Sequence, residues 1–169
     1  MNFSDLGLSK QILDAIKKAN YDSPYPIQIE AIPAILQKKD VLGIAPTGSG
    51  ETASYILPIL QRLQEKAPNK GRMIPILVLV PTRELASQVA EVTENFARFL
   101  NRPVKALAVF GGVSINPQMM KIYGTDILVA TPGRLLDLLS KNSLNLNQVE
   151  VLVLDEADKV LNMGFKEEV

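Results

Sequence analysis

The run Ile76-Leu77-Val78-Leu79-Val80 carries no polar side chain, so as a β-strand it must be buried on both faces. A strand with one wet face alternates apolar and polar residues. A continuous apolar run is the mark of a parallel sheet covered by helices. Further strand candidates occupy residues 41–45, 104–110, 127–130 and 149–154. Helix-length segments separate them. Residues 52–66 set Ile56, Leu57, Leu60 and Leu63 on one face, with a predicted kink at Pro58. Residues 83–100 repeat the spacing with Leu85, Val89, Val92, Phe96 and Phe99. Residues 132–139 form a short helix with Pro132 at a permitted early position. This order predicts an α/β fold, a mostly parallel sheet with helices on both faces, which binds ligands beyond the carboxyl ends of its strands. Ahead of the sheet, residues 1–40 form a helical segment of the same domain. Ser9 is placed to cap a helix running through Lys18, and a second helix begins near Pro26.

Composition removes whole classes of chemistry. The 169 residues include no Cys and no His, so disulfides, thiolate metal sites, Cys–His catalysis and a Ser-His-Asp triad are excluded. The 18 basic and 18 acidic residues balance. That argues against a nucleic-acid binder working through a basic stripe, while leaving binding through backbone amides and helix N-termini open. No apolar run reaches the ~18 residues of a membrane-spanning helix, and the N-terminus lacks the pattern of a signal peptide.

Two strand ends carry the chemistry. Residues 45–52 read Ala-Pro-Thr-Gly-Ser-Gly-Glu-Thr. A phosphate-binding loop ends in Gly-Lys-Ser/Thr: backbone N–H groups cradle the phosphates, the Lys reaches the β- and γ-phosphates, and the hydroxyl holds Mg²⁺. Here Gly48 and Gly50 free the backbone and Thr52 supplies the hydroxyl, but Glu51 stands where the Lys belongs. The second end is Val151-Leu152-Val153-Leu154 running into Asp155-Glu156-Ala157-Asp158. One such carboxylate can hold Mg²⁺, largely through water. The next can orient or deprotonate a water that attacks a γ-phosphate.

The string Asp155-Glu156-Ala157-Asp158, with the loop ahead of it, resembles the DEAD-box RNA helicases, and the whole chain is similar to their first RecA-like domain. Phe3 and the segment from Asn20 to Gln28 resemble the Q motif, residues 45–52 motif I apart from Glu51, and Pro81-Thr82-Arg83-Glu84-Leu85 motif Ia. Gly111-Gly112 resembles the GG motif and Thr131-Pro132-Gly133-Arg134 motif Ib. The resemblance implies ATP and Mg²⁺ as cofactors and RNA as partner. It implies that Gln28 reads adenine, Phe3 stacks on it and Tyr21 lines the same pocket. Thr47, Gly48, Ser49, Gly50, position 51 and Thr52 then hold phosphate, Thr52 and Asp155 serve the metal, and Asp155 and Glu156 are catalytic. Arg83, Gly111, Gly112, Thr131, Gly133 and Arg134 are expected to contact the RNA backbone, and Asp158 to bridge to other motifs. The expected setting is cytoplasmic or nuclear, with no membrane.

Two departures qualify the expectation. Glu51 replaces attraction for phosphate by repulsion, so weak ATP binding and essentially no hydrolysis are expected. The chain also reaches Val169 before the Ser-Ala-Thr motif and the second RecA-like domain of the family. Unwinding by the chain alone is therefore not expected, and an unfilled gap is expected beside the strand of residues 41–45. Two further readings stand: a catalytically dead RNA-binding or partner-binding module, and a P-loop NTPase acting on DNA or another substrate.

Overall fold

Ser9 and Pro26 set where the chain turns helical. In the computed structural model, which describes residues 1–46 and 48–166, the Ser9 hydroxyl accepts the Ile12 N–H at 3.4 Å and opens α1 (Lys10–Lys18). Pro26 is the first residue of α2 (Pro26–Leu36), where a missing N–H costs nothing. Glycine starts the next helix, α3 (Glu51–Gln64), because Gly50 holds φ 83°. α3 continues through Pro58 and buries Ile56, Leu57, Leu60 and Leu63, the face expected from their spacing.

The described chain divides into two compact units, Met1–Ala67 with Val92–Pro103, and Pro68–Glu91 with the chain from Val104. In the first, a 3-10 turn (Phe3–Leu6) packs on α2, and α2 and α1 both pack on α3. Gln61 accepts the Ser9 N–H at 2.8 Å. Arg102 donates to the carbonyls of Lys66 at 2.7 Å and Ala67 at 2.9 Å, fastening residues 92–103 to the end of α3. The segment 1–40 is thus joined in one unit by the loop and helix that follow it.

The second unit holds the sheet. Its elements are β1 (Ile76–Leu79), β2 (Ala106–Val109), α5 (Ile115–Lys121), β3 (Ile127–Ala130), α6 (Pro132–Ser140), β4 (Val151–Leu154) and α7 (Ala157–Val160), with the unit boundary inside α4 (Arg83–Ala97). A π-helical turn, Leu161–Phe165, follows α7 and is interrupted at Gly164, φ 86°. The strands are all parallel in the order β2-β3-β1-β4. β1 and β3 are buried at every position, as continuous apolar runs require. Leu77, Leu79, Leu128, Ala130 and Val109 share a core with Leu135 and Leu138 of α6. No helix among the described residues is long and apolar enough to cross a membrane.

One predicted strand is absent. Residues 41–46 have no regular structure, and Leu42 and Ile44 are 85% and 88% exposed. Apolarity gives a segment the capacity for burial, but a strand also needs a neighbour to take its N–H and C=O groups. Other elements are shorter than expected. β2 stops at Val109, not Phe110, whose backbone N–H and carbonyl are both bonded to a side chain. β4 begins at Val151, and α4 closes at Ala97 in a turn through Phe99 and Leu100. Helix α5 was not anticipated, nor was Pro33 inside α2.

Candidate functional site

In the first unit the loop is shaped by two left-handed glycines. Gly48 and Gly50 both have φ 83°, a conformation that side chains disfavour. Thr47, expected to hold phosphate, lies outside the described residues. The Gly50 carbonyl accepts the Ser54 N–H at 3.2 Å and the Gln28 Nε2–H at 2.9 Å. Gln28 in turn accepts the Tyr25 N–H through Oε1 at 3.0 Å and is fully buried. Its carboxamide is therefore a strut from the start of α2 to the start of α3. A Cβ at Gly50 would overlap Gln28 Nε2 and come within 2.8 Å of the Tyr25 ring.

Glu51 is the first residue of α3, and its carboxylate accepts the Ser49 hydroxyl at 3.5 Å. A helix N-terminus exposes N–H groups and the positive end of the dipole, which favours an anion. Glu51 is an anion built into that position. The backbone of residues 48–52 thus suits a phosphate while the side chain at 51 opposes one, and Thr52 follows in the first turn, partly buried. Of the expected adenine residues, Phe3 is only 5% exposed and anchors its turn. The Tyr21 ring packs on Phe96 at 5.0 Å between centroids.

In the second unit the register brings the remaining motifs together. Leu79 pairs with Ala130 and with Leu154, and Ala130 pairs with Val109. The four strands therefore end level. Along that edge the following residues run Gly111-Gly112 after β2, Thr131–Arg134 after β3, Thr82-Arg83 after β1 and Asp155-Glu156 after β4. Gly112 has φ 79°, and the Arg83 guanidinium borders it, 3.9 Å from where a Cβ would stand. Arg83 also donates to Glu84 at 2.8 Å. This exposed hydrogen bond raises the pKa of Arg83 and lowers that of Glu84. Thr131 caps α6 through its carbonyl, which accepts the Leu135 N–H at 3.1 Å, and its side chain makes no capping bond. The Gly133 N–H is among those an α-helix leaves without an internal acceptor.

Arg134 is placed otherwise than expected. It is 8% exposed and donates to Gln118 Oε1 at 3.0 Å and the Val113 carbonyl at 2.8 Å. Its Nε lies 3.6 Å from Asp137. The sequence carries no sign of Gln118, since the contact depends on how α5 and α6 fold back on β2. The carboxylate end is closer to expectation. Asp155 is 8% exposed at the end of β4, and its N–H donates to Leu79 O at 2.9 Å. Its oxygen donors suit Mg²⁺. Glu156 adopts φ 48°, ψ 50°, a left-handed conformation costing about 1–2 kcal/mol outside glycine. The Lys159 ammonium donates to the Glu156 carboxylate at 2.9 Å, which raises the lysine pKa. Asp158 is exposed in the first turn of α7.

Comparison with known proteins gives the family. Residues 25–169 match the family model described as DEAD/DEAH box helicase. The chain is 49% identical to the ATP-dependent RNA helicase DeaD of Escherichia coli, over 99% of this chain and 26% of that protein. It is 44% identical to the probable ATP-dependent RNA helicase ddx27 of Dictyostelium discoideum, over 99% of this chain and 21% of the relative. The chain thus spans about a quarter of the length of these curated relatives. Among solved structures, a DEAD box protein from Methanococcus jannaschii superposes with a TM-score of 0.87 at 40% identity, covering 99% of this chain and 45% of that one. The yeast DEAD-box splicing factor Prp28 gives 0.88 at 36% identity, covering 99% and 41%.

Proposed function

Since the chain belongs to the DEAD/DEAH box helicase family, we propose that it is the N-terminal, RNA- and ATP-binding RecA-like domain of a longer ATP-dependent RNA helicase. In that longer protein RNA-stimulated ATP hydrolysis drives unwinding or remodelling of duplex RNA, with a second RecA-like domain completing the clamp. The observation that carries this reading is the level edge of the sheet, where Gly111-Gly112, Thr131–Arg134 and Arg83 follow three adjacent strands and Asp155-Glu156 the fourth. N–H groups, one hydroxyl and one exposed guanidinium suit a sugar-phosphate backbone and carry little base specificity. They also let a chain of zero net charge bind RNA. In the second unit the Asp155 carboxylate would hold Mg²⁺, and in the first the Thr52 hydroxyl is a further oxygen donor of the kind that metal takes; bound Mg²⁺ would neutralise phosphate charge. Glu156 is the residue to orient the attacking water. Glu51 opposes the phosphates, so this chain is a poor ATP binder, and no hydrolytic step is assigned to it.

Gly111 offers a test. It lacks the positive φ of its neighbour, and a Cβ there would meet nothing within 4 Å. The fold has no use for its missing side chain, whereas a closely approaching backbone does. Gly111→Ala is expected to stay within about 0.5 kcal/mol of the parent in stability. It should weaken single-stranded RNA binding by roughly fivefold, one hydrogen bond's worth. Fluorescence anisotropy with labelled oligouridylate, competed by RNA and by DNA of the same length, measures both points. Equal competition by DNA contradicts the RNA reading, and unchanged affinity in Gly111→Ala removes the GG turn from it.

A further inference from the structure

The hydrogen bonds around Gly111-Gly112 close into a ring. Before the pair, Phe110 donates its N–H to Gln118 Oε1 at 3.3 Å, and its carbonyl accepts from Gln118 Nε2 at 3.1 Å. After the pair, the Val113 carbonyl accepts from Arg134 Nη2 at 2.8 Å. Arg134 Nη1 then donates to the same Gln118 Oε1 at 3.0 Å, which closes the ring. Gln118 and Arg134 are each 8% exposed, while the two glycines they bracket are exposed.

A carboxamide has one acceptor oxygen and one donor nitrogen, as a strand residue has on its backbone. Gln118 presents both to Phe110 and so stands in for a neighbouring strand at the free edge of β2. Arg134 sends both terminal nitrogens inward onto Gln118 and Val113, while its buried Nε makes no hydrogen bond among the described residues. A buried charge with one partner removed is expensive, so the two side chains hold each other in place.

We propose that Gln118 is a positioning residue for RNA-backbone binding, fixing the GG turn and Arg134 as one rigid unit. The inference rests on the reading of this edge as the RNA side.

Salt dependence separates a displaced turn from a lost phosphate contact. A lost phosphate contact lowers the slope of log K against log salt by about one, while a misplaced turn lowers affinity at unchanged slope. The experiment measures labelled oligouridylate binding to this chain at several salt concentrations, with hydrogen exchange of residues 110–114, for the parent, Gln118→Met, Gln118→Glu and Arg134→Lys. Gln118→Met keeps the length and loses every hydrogen bond. It is expected to bind RNA roughly fivefold more weakly or worse, at the parent's slope, with faster exchange in the turn. Gln118→Glu keeps the acceptor facing Arg134 and Phe110 N–H, and recovers part of that loss. Arg134→Lys keeps the charge but not the fork, and is expected to bind as weakly as Gln118→Met. It also decides the matter if Gln118→Met does not fold.

Parent-like affinity in either Gln118→Met or Arg134→Lys overturns the inference. So does slow exchange in a folded Gln118→Met. A parent that binds no RNA overturns the functional reading and the RNA role of Gln118 together. The exchange rates then still decide whether Gln118 braces the turn, so the two failures are distinguishable.

Discussion

In a Glu51→Lys variant, saturating Mg-ADP is expected to raise the melting temperature by about 5–10 °C, whereas the parent chain should melt within about 1 °C of its ligand-free value. The reason is the sign of one charge. Two unit charges 4 Å apart interact by about 4 kcal/mol at an effective dielectric near 20. Exchanging an anion for a cation beside a phosphate swings the energy by roughly twice that before screening and side-chain rotation reduce it. A retained gain of about 2.7 kcal/mol is a hundredfold in affinity. Ligand at a hundred times Kd stabilises the fold by a similar amount, and a chain of this size gains about 2–4 °C per kcal/mol. Without ligand the sign reverses. Glu51 opens α3, and an acidic side chain there is worth about 0.3–1 kcal/mol. The ligand-free Glu51→Lys variant should therefore melt about 1–4 °C below the parent. Differential scanning fluorimetry with and without Mg-ADP reads both effects, and their opposite directions separate a repaired phosphate site from a general change in stability.

Gly50→Ala is expected to lower the melting temperature by about 6–12 °C, the equivalent of about 3 kcal/mol. Two costs add. Alanine at φ 83° loses about 1–2 kcal/mol. A Cβ there also collides with the buried Gln28 amide and the Tyr25 ring, and overpacking costs about 1–3 kcal/mol. Gly48→Ala isolates the first cost, because Gly48 has the same φ and nothing within 4 Å. Thermal melts of both variants should therefore differ by the overlap alone. Gln28→Ala should relieve part of it, so the double variant is expected to be less destabilised than the sum of its parts. Equal losses in Gly50→Ala and Gly48→Ala would remove the collision from the account.

Residues whose role is local were legible before the structure. Ile76–Leu79 and Ile127–Ala130 are strands buried at every position, as their unbroken apolarity required. Ser9 and Pro26 open helices because capping and the missing proline N–H act within one turn. Residues whose role depends on a distant partner were not legible. Residues 41–45 are as apolar as a strand but have no described strand beside them. Nothing local to Gln28 announces that its amide also braces Gly50, twenty-two positions away. Arg134 suggests a phosphate contact, but the folding back of α5 and α6 turns it inward onto Gln118 and Val113. Glu51 was legible as a charge. Its place as the first residue of α3 adds that the same carboxylate suits the helix N-terminus and opposes a phosphate there.

On the proposed reading, this family domain keeps the left-handed glycines of a phosphate loop and carries at Glu51 a charge of the wrong sign to use it. Isothermal titration of Mg-ADP into the parent chain and into Glu51→Lys tests it most directly. The predicted result is binding at least about a hundredfold tighter in Glu51→Lys, a difference of about 2.7 kcal/mol. Tight binding of equal strength by both chains would contradict it.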